Sequence, residues 1–266
     1  MTFSIEGKTA IVTGAANGIG LAIGRHFLDQ GARVMFADMD EDGLVSEVGD
    51  VPDDAPAHYF AGDLREKLTI NNLLSATIDH FDRVDILVNA ARQIMPSDPL
   101  DPDDESIKVM LDQNLTSALR LSQLVANRMV KQGEEKEEGQ LGSIVNITSI
   151  AARRAQPELL GYSVATAALE QMTRAMAVAL SPKRIRVNAV AFGSVMSASL
   201  QNALKEHAPY RDEIEAHTPL GRIASPGELA EAVQYLASDG AGFVTGEILT
   251  VDGGRTLIDP VSAPAH

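Results

Sequence analysis

Two rhythms alternate along the chain. Short, nearly all-apolar runs at residues 9–13, 32–37, 58–61, 84–89, 142–149, 185–191 and 248–251 read as strands. Between them lie longer segments whose apolar residues recur every three or four positions, at 18–30, 66–81, 107–131, 159–180 and 226–237. In the segment 66–81 the apolar positions are Leu68, Leu73, Leu74 and Ile78, one face of a helix. Strands that are apolar throughout must be covered on both faces, and a helix after each strand supplies that cover. The pattern predicts a single-domain α/β Rossmann fold over residues 1–266, with a seven-stranded parallel sheet and helices on both faces.

Two segments break the rhythm. Residues 131–140 are a charged run between a helix and a strand, expected to be a solvated loop. Residues 193–222 are polar and helical in places, and long for a connection inside a compact fold, so they are expected to form a substrate-binding loop or lid.

Composition narrows the function. The chain of 266 residues carries 37 acidic against 22 basic side chains, a formal charge of −15. That surface repels nucleic-acid phosphates and anionic membranes. Tryptophan is absent and aromatics are 4% of residues, which leaves no stacking platform for single strands. No apolar run is long enough to span a bilayer, and no secretory signal is read in the first eight residues. There is no cysteine, so thiolate metal sites and cysteine nucleophiles are excluded; the six histidines lack metal-ligand spacing and no metal is expected. No Gly-x-Ser-x-Gly elbow occurs. A cytoplasmic location fits these features.

The chemistry concentrates after the first strand. Gly14, Gly18 and Gly20 link that strand to a helix, within Thr13-Gly-Ala-Ala-Asn17-Gly-Ile19-Gly20. Glycines let a phosphate approach the main chain, and the helix N-terminus offers free N–H groups and a partial positive charge. The strand–turn–helix setting makes this a dinucleotide fingerprint. Asp38 ends the second strand, 18 residues after Gly20. A carboxylate there accepts from ribose hydroxyls and repels a 2′-phosphate, and no basic residue in the turn offsets it, so NAD is favoured over NADP. The plain alternative is that Asp38 caps the helix beginning at Asp40-Glu41-Asp42.

Taken together, these motifs resemble the classical short-chain dehydrogenases/reductases over essentially the whole chain. The matching pieces are Thr13 to Gly20, Asp63 in Ala-Gly-Asp-Leu64, Asn114 in Asp-Gln-Asn-Leu-Thr, Ser149 and Tyr162 at a separation of 13, Arg186-Val-Asn-Ala-Val190 and Val251-Asp-Gly-Gly254. The resemblance implies hydride transfer between NAD(H) and a secondary alcohol or ketone. It assigns Tyr162 as proton donor and acceptor, Ser149 as the group that bonds the substrate oxygen, and Asn114 as holder of a water in the proton relay. It implies cofactor contacts at Thr13, Gly14, Asn17, Gly18, Ile19, Gly20, Asp38, Asp63 (to the adenine amino group), Leu64, Asn89, Thr166, Gly193 and Val195. It also implies a homo-oligomer, a tetramer or dimer built on the helices at 107–131 and 159–180.

Three departures gather on the nicotinamide side. The family's Tyr-x-x-x-Lys is here Tyr162-Ser-Val-Ala-Thr166, its Asn-Asn-Ala-Gly is Asn89-Ala-Ala-Arg92, and its Pro-Gly is Phe192-Gly193. A free tyrosine has a pKa of about 10, and a neighbouring ammonium lowers it; Thr166 brings no charge. Arg92 could reach Tyr162 or the substrate, fill the space a glycine leaves for the cofactor, or face solvent or pair with an acidic neighbour. Arg153 and Arg154 are further cations near the same rim. A second function class therefore stands beside the enzyme: a non-catalytic nucleotide-binding homologue acting as a sensor or oligomer partner. The substrate would be read by 193–222 and by the loop 92–104, neither of which carries a translatable motif.

Overall fold

The structure is a computed structural model and describes residues 3–49 and 51–259. Seven parallel strands form one sheet: β1 (Thr9–Thr13), β2 (Arg33–Asp38), β3 (Ala57–Ala61), β4 (Ile86–Asn89), β5 (Gly142–Ser149), β6 (Ile185–Phe192) and β7 (Ile248–Val251), in the order β3-β2-β1-β4-β5-β6-β7. The helices are α1 (Gly18–Asp29), α2 (Glu41–Val48), α3 (Lys67–Phe81), α4 (Ser106–Leu111), α5 (Ser117–Gln132), α6 (Leu160–Leu180), α7 (Ala198–Glu206), α8 (Pro209–Ala216) and α9 (Pro226–Ala237). The predicted single-domain Rossmann architecture is the one observed.

Strand geometry explains the two-sided core. Successive side chains on a strand point to opposite faces. On β1, Ala10 and Val12 join Ile23 and Phe27 of α1 and Leu229 and Val233 of α9. Ile11 between them joins Leu73 of α3 and Leu121 and Val125 of α5 on the other face. Phe27 and Phe36 are fully buried, each stabilising the fold by about 1.5–3 kcal/mol.

The differences from the sequence reading have local causes. β4 begins at Ile86, two residues late, because the Gln132 side chain takes both backbone groups of Val84: its Oε1 accepts the N–H at 3.2 Å and its Nε2 donates to the carbonyl at 2.5 Å. The helix expected at 107–131 is interrupted by a π turn, Asp112–Thr116, between α4 and α5. Residues 193–222 fold largely as α7 and α8, tethered where Val195 bridges to Ala224.

The strand order changes direction between β1 and β4, and a parallel sheet opens a crevice beyond the carboxyl ends of its strands at such a point. Thr13 fastens the two strand ends there. Its Oγ1 accepts from the backbone N–H groups of Ala90 and Ala91, both at 3.0 Å.

Candidate active site

The crevice is a single open cleft. Its floor is the β1–α1 turn, with Gly14, Asn17, Gly18, Ile19 and Gly20; one wall carries Asp38, Met39, Asp63 and Leu64; the other carries Ala90, Ala91 and Arg92. Gly14 has φ 65°, and a Cβ on it would lie 2.7 Å from Ala91 Cα, so glycine is what lets the turn meet the end of β4. Gly18 has φ 57°, and a Cβ there would meet nothing within 4 Å. The turn thus leaves free space at the N-terminus of the twelve-residue α1. A pyrophosphate fits that space and that partial charge.

Asp38 stands at the far end of the turn, fixed by two backbone donors. Oδ2 accepts from Ala16 N–H at 3.0 Å and Oδ1 from Asp40 N–H at 3.1 Å. It does not cap α2; Asp40 does, accepting from Gly43 N–H at 3.1 Å. Asp63 is gripped by Arg65, whose Nε and Nη2 approach both carboxylate oxygens. That hydrogen-bonded guanidinium holds the Asp63 carboxyl below the usual carboxylate range.

At the other end Tyr162, in the first turn of α6, is 3% exposed. Arg92 donates through Nη1 to its hydroxyl oxygen at 3.0 Å. The same guanidinium lies over the Phe192 ring, 4.7 Å from its centroid. Arg92 follows β4 and Phe192 ends β6, with β5 between them, so the arginine stretches across the carboxyl end of β5. Ser149 closes that strand, buried, with its Oγ accepting from Ala151 N–H at 3.2 Å.

Asn114 sits in the π turn and clamps the chain just after Arg92. Its Oδ1 accepts from Gln93 N–H at 2.8 Å and its Nδ2 donates to Gln93 carbonyl at 2.9 Å. Its amide is therefore engaged by protein backbone. Thr166 is buried, and its hydroxyl turns back on α6, 2.9 Å from the Tyr162 carbonyl and 3.1 Å from that of Ser163. A narrow void beside it is lined by Tyr162, Asn89, Asn114, Arg92, Ile147 and Leu169, among others.

Several residues expected at the cofactor stand apart from the cleft lining. Thr13 supports the turn from behind. Asn89 faces the core, donating to Ser122 Oγ at 2.9 Å and Asn146 Oδ1 at 2.8 Å. Gly193 packs on Asp252, where a Cβ would come within 2.8 Å of the Asp252 Cβ, and Val195 is held in its bridge to Ala224. In their place the cleft takes Met39, Gly62, Gln113 and Ser197, which sequence spacing did not single out. Met39 and Gly62 directly follow the ends of β2 and β3, a signal visible once strand order is known. Among the described residues no cluster of three histidines or carboxylates could hold a metal ion.

Comparison with known proteins decides the kinship. Residues 14–256 match the family model described as enoyl-(acyl carrier protein) reductase. The 7alpha-hydroxysteroid dehydrogenase of Escherichia coli is 33% identical over 251 residues, covering 94% of each chain. The 3-oxoacyl-[acyl-carrier-protein] reductase FabG of Thermotoga maritima is 31% identical over 256 residues, 95% of this chain and 99% of that one. The chain belongs to the short-chain dehydrogenase/reductase family. A solved structure of a 7 alpha-hydroxysteroid dehydrogenase complexed with NADH and 7-oxo glycochenodeoxycholic acid superimposes with a TM-score of 0.86 at 33% identity, covering 95% of this chain and 96% of that one. Membership makes this chain one of the nicotinamide-dependent oxidoreductases. Among the described residues no helix is long and apolar enough to cross a membrane.

Proposed function

We propose that the protein is an NAD(H)-dependent oxidoreductase that interconverts a secondary alcohol and a ketone. The observation that carries this reading is the continuity of the cleft. It runs from the glycine turn past Asp38 and along Ala90 and Ala91 to Arg92, whose guanidinium is hydrogen-bonded to the buried Tyr162 hydroxyl. Gly14, Asn17, Gly18, Ile19 and Gly20 would hold the pyrophosphate, Asp38 the adenosine ribose, and Asp63 and Leu64 the adenine. The Asp38 carboxylate disfavours a 2′-phosphate by like charge. When bound, the nicotinamide supplies or accepts a hydride.

The proton falls to Tyr162. A guanidinium is a donor only, so the Tyr162 oxygen faces Arg92 with a lone pair, and its own O–H is free to turn to a substrate oxygen. In ketone reduction that O–H gives its proton to the carbonyl oxygen; in alcohol oxidation the phenolic oxygen takes it back. Ser149 would donate to the same substrate oxygen. Arg92 takes the place of the cation that the family carries at the position of Thr166. Asn114 serves by fixing Gln93 and hence Arg92.

A second reading, a non-catalytic nucleotide-binding homologue, draws on one observation: Arg92 crosses the end of β5, the span between the ends of β4 and β6. One experiment separates the two. NADH and NADPH binding are titrated by fluorescence, and nicotinamide absorbance is followed over a panel of alcohols and ketones. The enzyme reading expects NADH to bind at least about tenfold tighter than NADPH, and turnover of a panel member. NADH binding with no turnover of any member, in both the wild-type and an Arg92→Gly/Thr166→Lys variant that restores the family pattern, selects the second reading. We also propose a cytoplasmic homo-oligomer, tetramer or dimer.

A further inference from the structure

Among the described residues, seven of the molecule's fifteen arginines meet a carboxylate: Arg25, Arg65, Arg83, Arg153, Arg174, Arg211 and Arg222. Arg92 lies in a chain with 37 acidic side chains, yet its contacts among the described residues are a neutral phenol and an aromatic face. One of its five N–H donors is engaged, by Tyr162. The group is half-buried and lines both the cleft and the void beside Thr166. It is also held still: Phe192 supports its plane, Tyr162 anchors Nη1, and Asn114 clamps the next residue from both sides. A preorganised guanidinium with free donors and no protein anion is a receptor for an anion, and its planar fork matches a carboxylate through two parallel bonds.

We propose that the substrate carries a carboxylate that pairs with Arg92, so that the protein acts on a short 2- or 3-oxo acid, or the corresponding hydroxy acid. This rests on the oxidoreductase reading and names its substrate class. The length follows from the geometry. Arg92 Nη1 and Tyr162 Oη are 3.0 Å apart, so a carboxylate on the remaining guanidinium donors and a reacting oxygen on the Tyr162 hydroxyl can be separated by one or two carbons. A neutral ketone, or a thioester carrying no charge near its carbonyl, would leave the guanidinium without its anion.

The test pairs each acid with its own methyl ester, which keeps the skeleton and removes the charge. Pyruvate is compared with methyl pyruvate, and acetoacetate with methyl acetoacetate, in NADH oxidation by the wild-type, Arg92→Gln and Arg92→Lys. The wild-type is expected to prefer one acid over its ester by at least tenfold in kcat/KM. Arg92→Gln is expected to slow both substrates, because Tyr162 loses its neighbouring cation, but to fall about a hundredfold further on the acid than on the ester, and Arg92→Lys to lie between, since it keeps the charge but not the fork. Equal use of acid and ester by the wild-type, or an equal loss on both in Arg92→Gln, overturns the proposal; the second result would make Arg92 a positioning residue for Tyr162 alone. Calorimetric titration of pyruvate and acetoacetate without turnover gives an independent arm. If no alcohol or ketone of the wider panel is turned over by the wild-type or by Arg92→Gly/Thr166→Lys, the oxidoreductase reading fails, while acid binding lost in Arg92→Gln still supports the carboxylate site. Absence of acid binding in a wild-type protein that binds NADH overturns it. Melting temperatures of both variants establish that they fold.

Discussion

Thr166 is a small side chain in a buried position, and its hydroxyl is satisfied by carbonyls of its own helix. A lysine there would run into the void between Tyr162, Asn89 and Asn114, and its ammonium would arrive beside the Arg92 guanidinium. Two cations sharing one half-buried site repel. Thr166→Lys alone is therefore expected to destabilise the protein, by about 2 kcal/mol in urea unfolding. Arg92→Gly in the same chain should recover most of that loss, because it removes the second cation. Strict additivity of the two substitutions would refute the idea that the two positions carry one charge between them. The sequence left Arg92 with three readings, toward Tyr162, into the cofactor space or into solvent. The Arg92 guanidinium meets Tyr162 and rests on Phe192, one hundred residues further along the chain and two strands away in the sheet. No spacing rule reaches that far, whereas the glycine turn and Asp38 were legible because their geometry is local.

Among the elements, the π turn at Asp112–Thr116 does what a regular helix could not. It sets Asn114 off the line of the helix and against Gln93, and so joins α4 and α5 to the end of β4. The apolar period ran on from 107 to 131, so the helix was visible in the sequence and its interruption was not. A π turn inserts one residue without changing the pattern on either side. Strands were legible to within a residue or two for the opposite reason: β1, β5 and β6 are buried at every position, so their ends nearly coincide with the ends of apolar runs. Asn114→Ala removes two part-buried hydrogen bonds, to the backbone N–H and the carbonyl of Gln93, at about 1 kcal/mol each. The expected result is a loss of about 2 kcal/mol in stability together with faster hydrogen exchange at Gln93. Unchanged protection at Gln93 would show that the clamp does not hold the Arg92 segment.

At the scale of the molecule, two features are set by its surface. The first is acid sensitivity at the edge of the sheet, where His58 and His80 stack with ring centroids 3.8 Å apart. Burial, and then the neighbouring His80, push the His58 imidazole below its ordinary range. The folded state therefore binds that proton less readily than the unfolded chain. Its stabilising share is complete above about pH 6.5 and falls as the pH drops below that value toward the lowered folded pKa. Thermal melts should drop between pH 7.5 and pH 5, and less steeply in His80→Gln, which removes the neighbouring charge. The second is an apolar surface at the end of α6. Val178 is 78% exposed and Phe243 fully exposed. The loop carrying Phe243 backs onto the same helix at Gly246, where a Cβ would lie 3.5 Å from the Ala177 Cβ. For the homo-oligomer proposed above, Val178 and Phe243 are the apolar side chains we assign to the contact, since symmetric association would bury each of them twice. Burial of one such side chain stabilises by about 1.5–3 kcal/mol. Val178→Asp or Phe243→Asp should accordingly weaken self-association by roughly a hundredfold or more. Light scattering over a concentration series measures it: the wild-type should hold its oligomer at micromolar concentration while each variant dissociates. A wild-type monomer, or variants that assemble as the wild-type does, would mean that these two residues face solvent in the working protein.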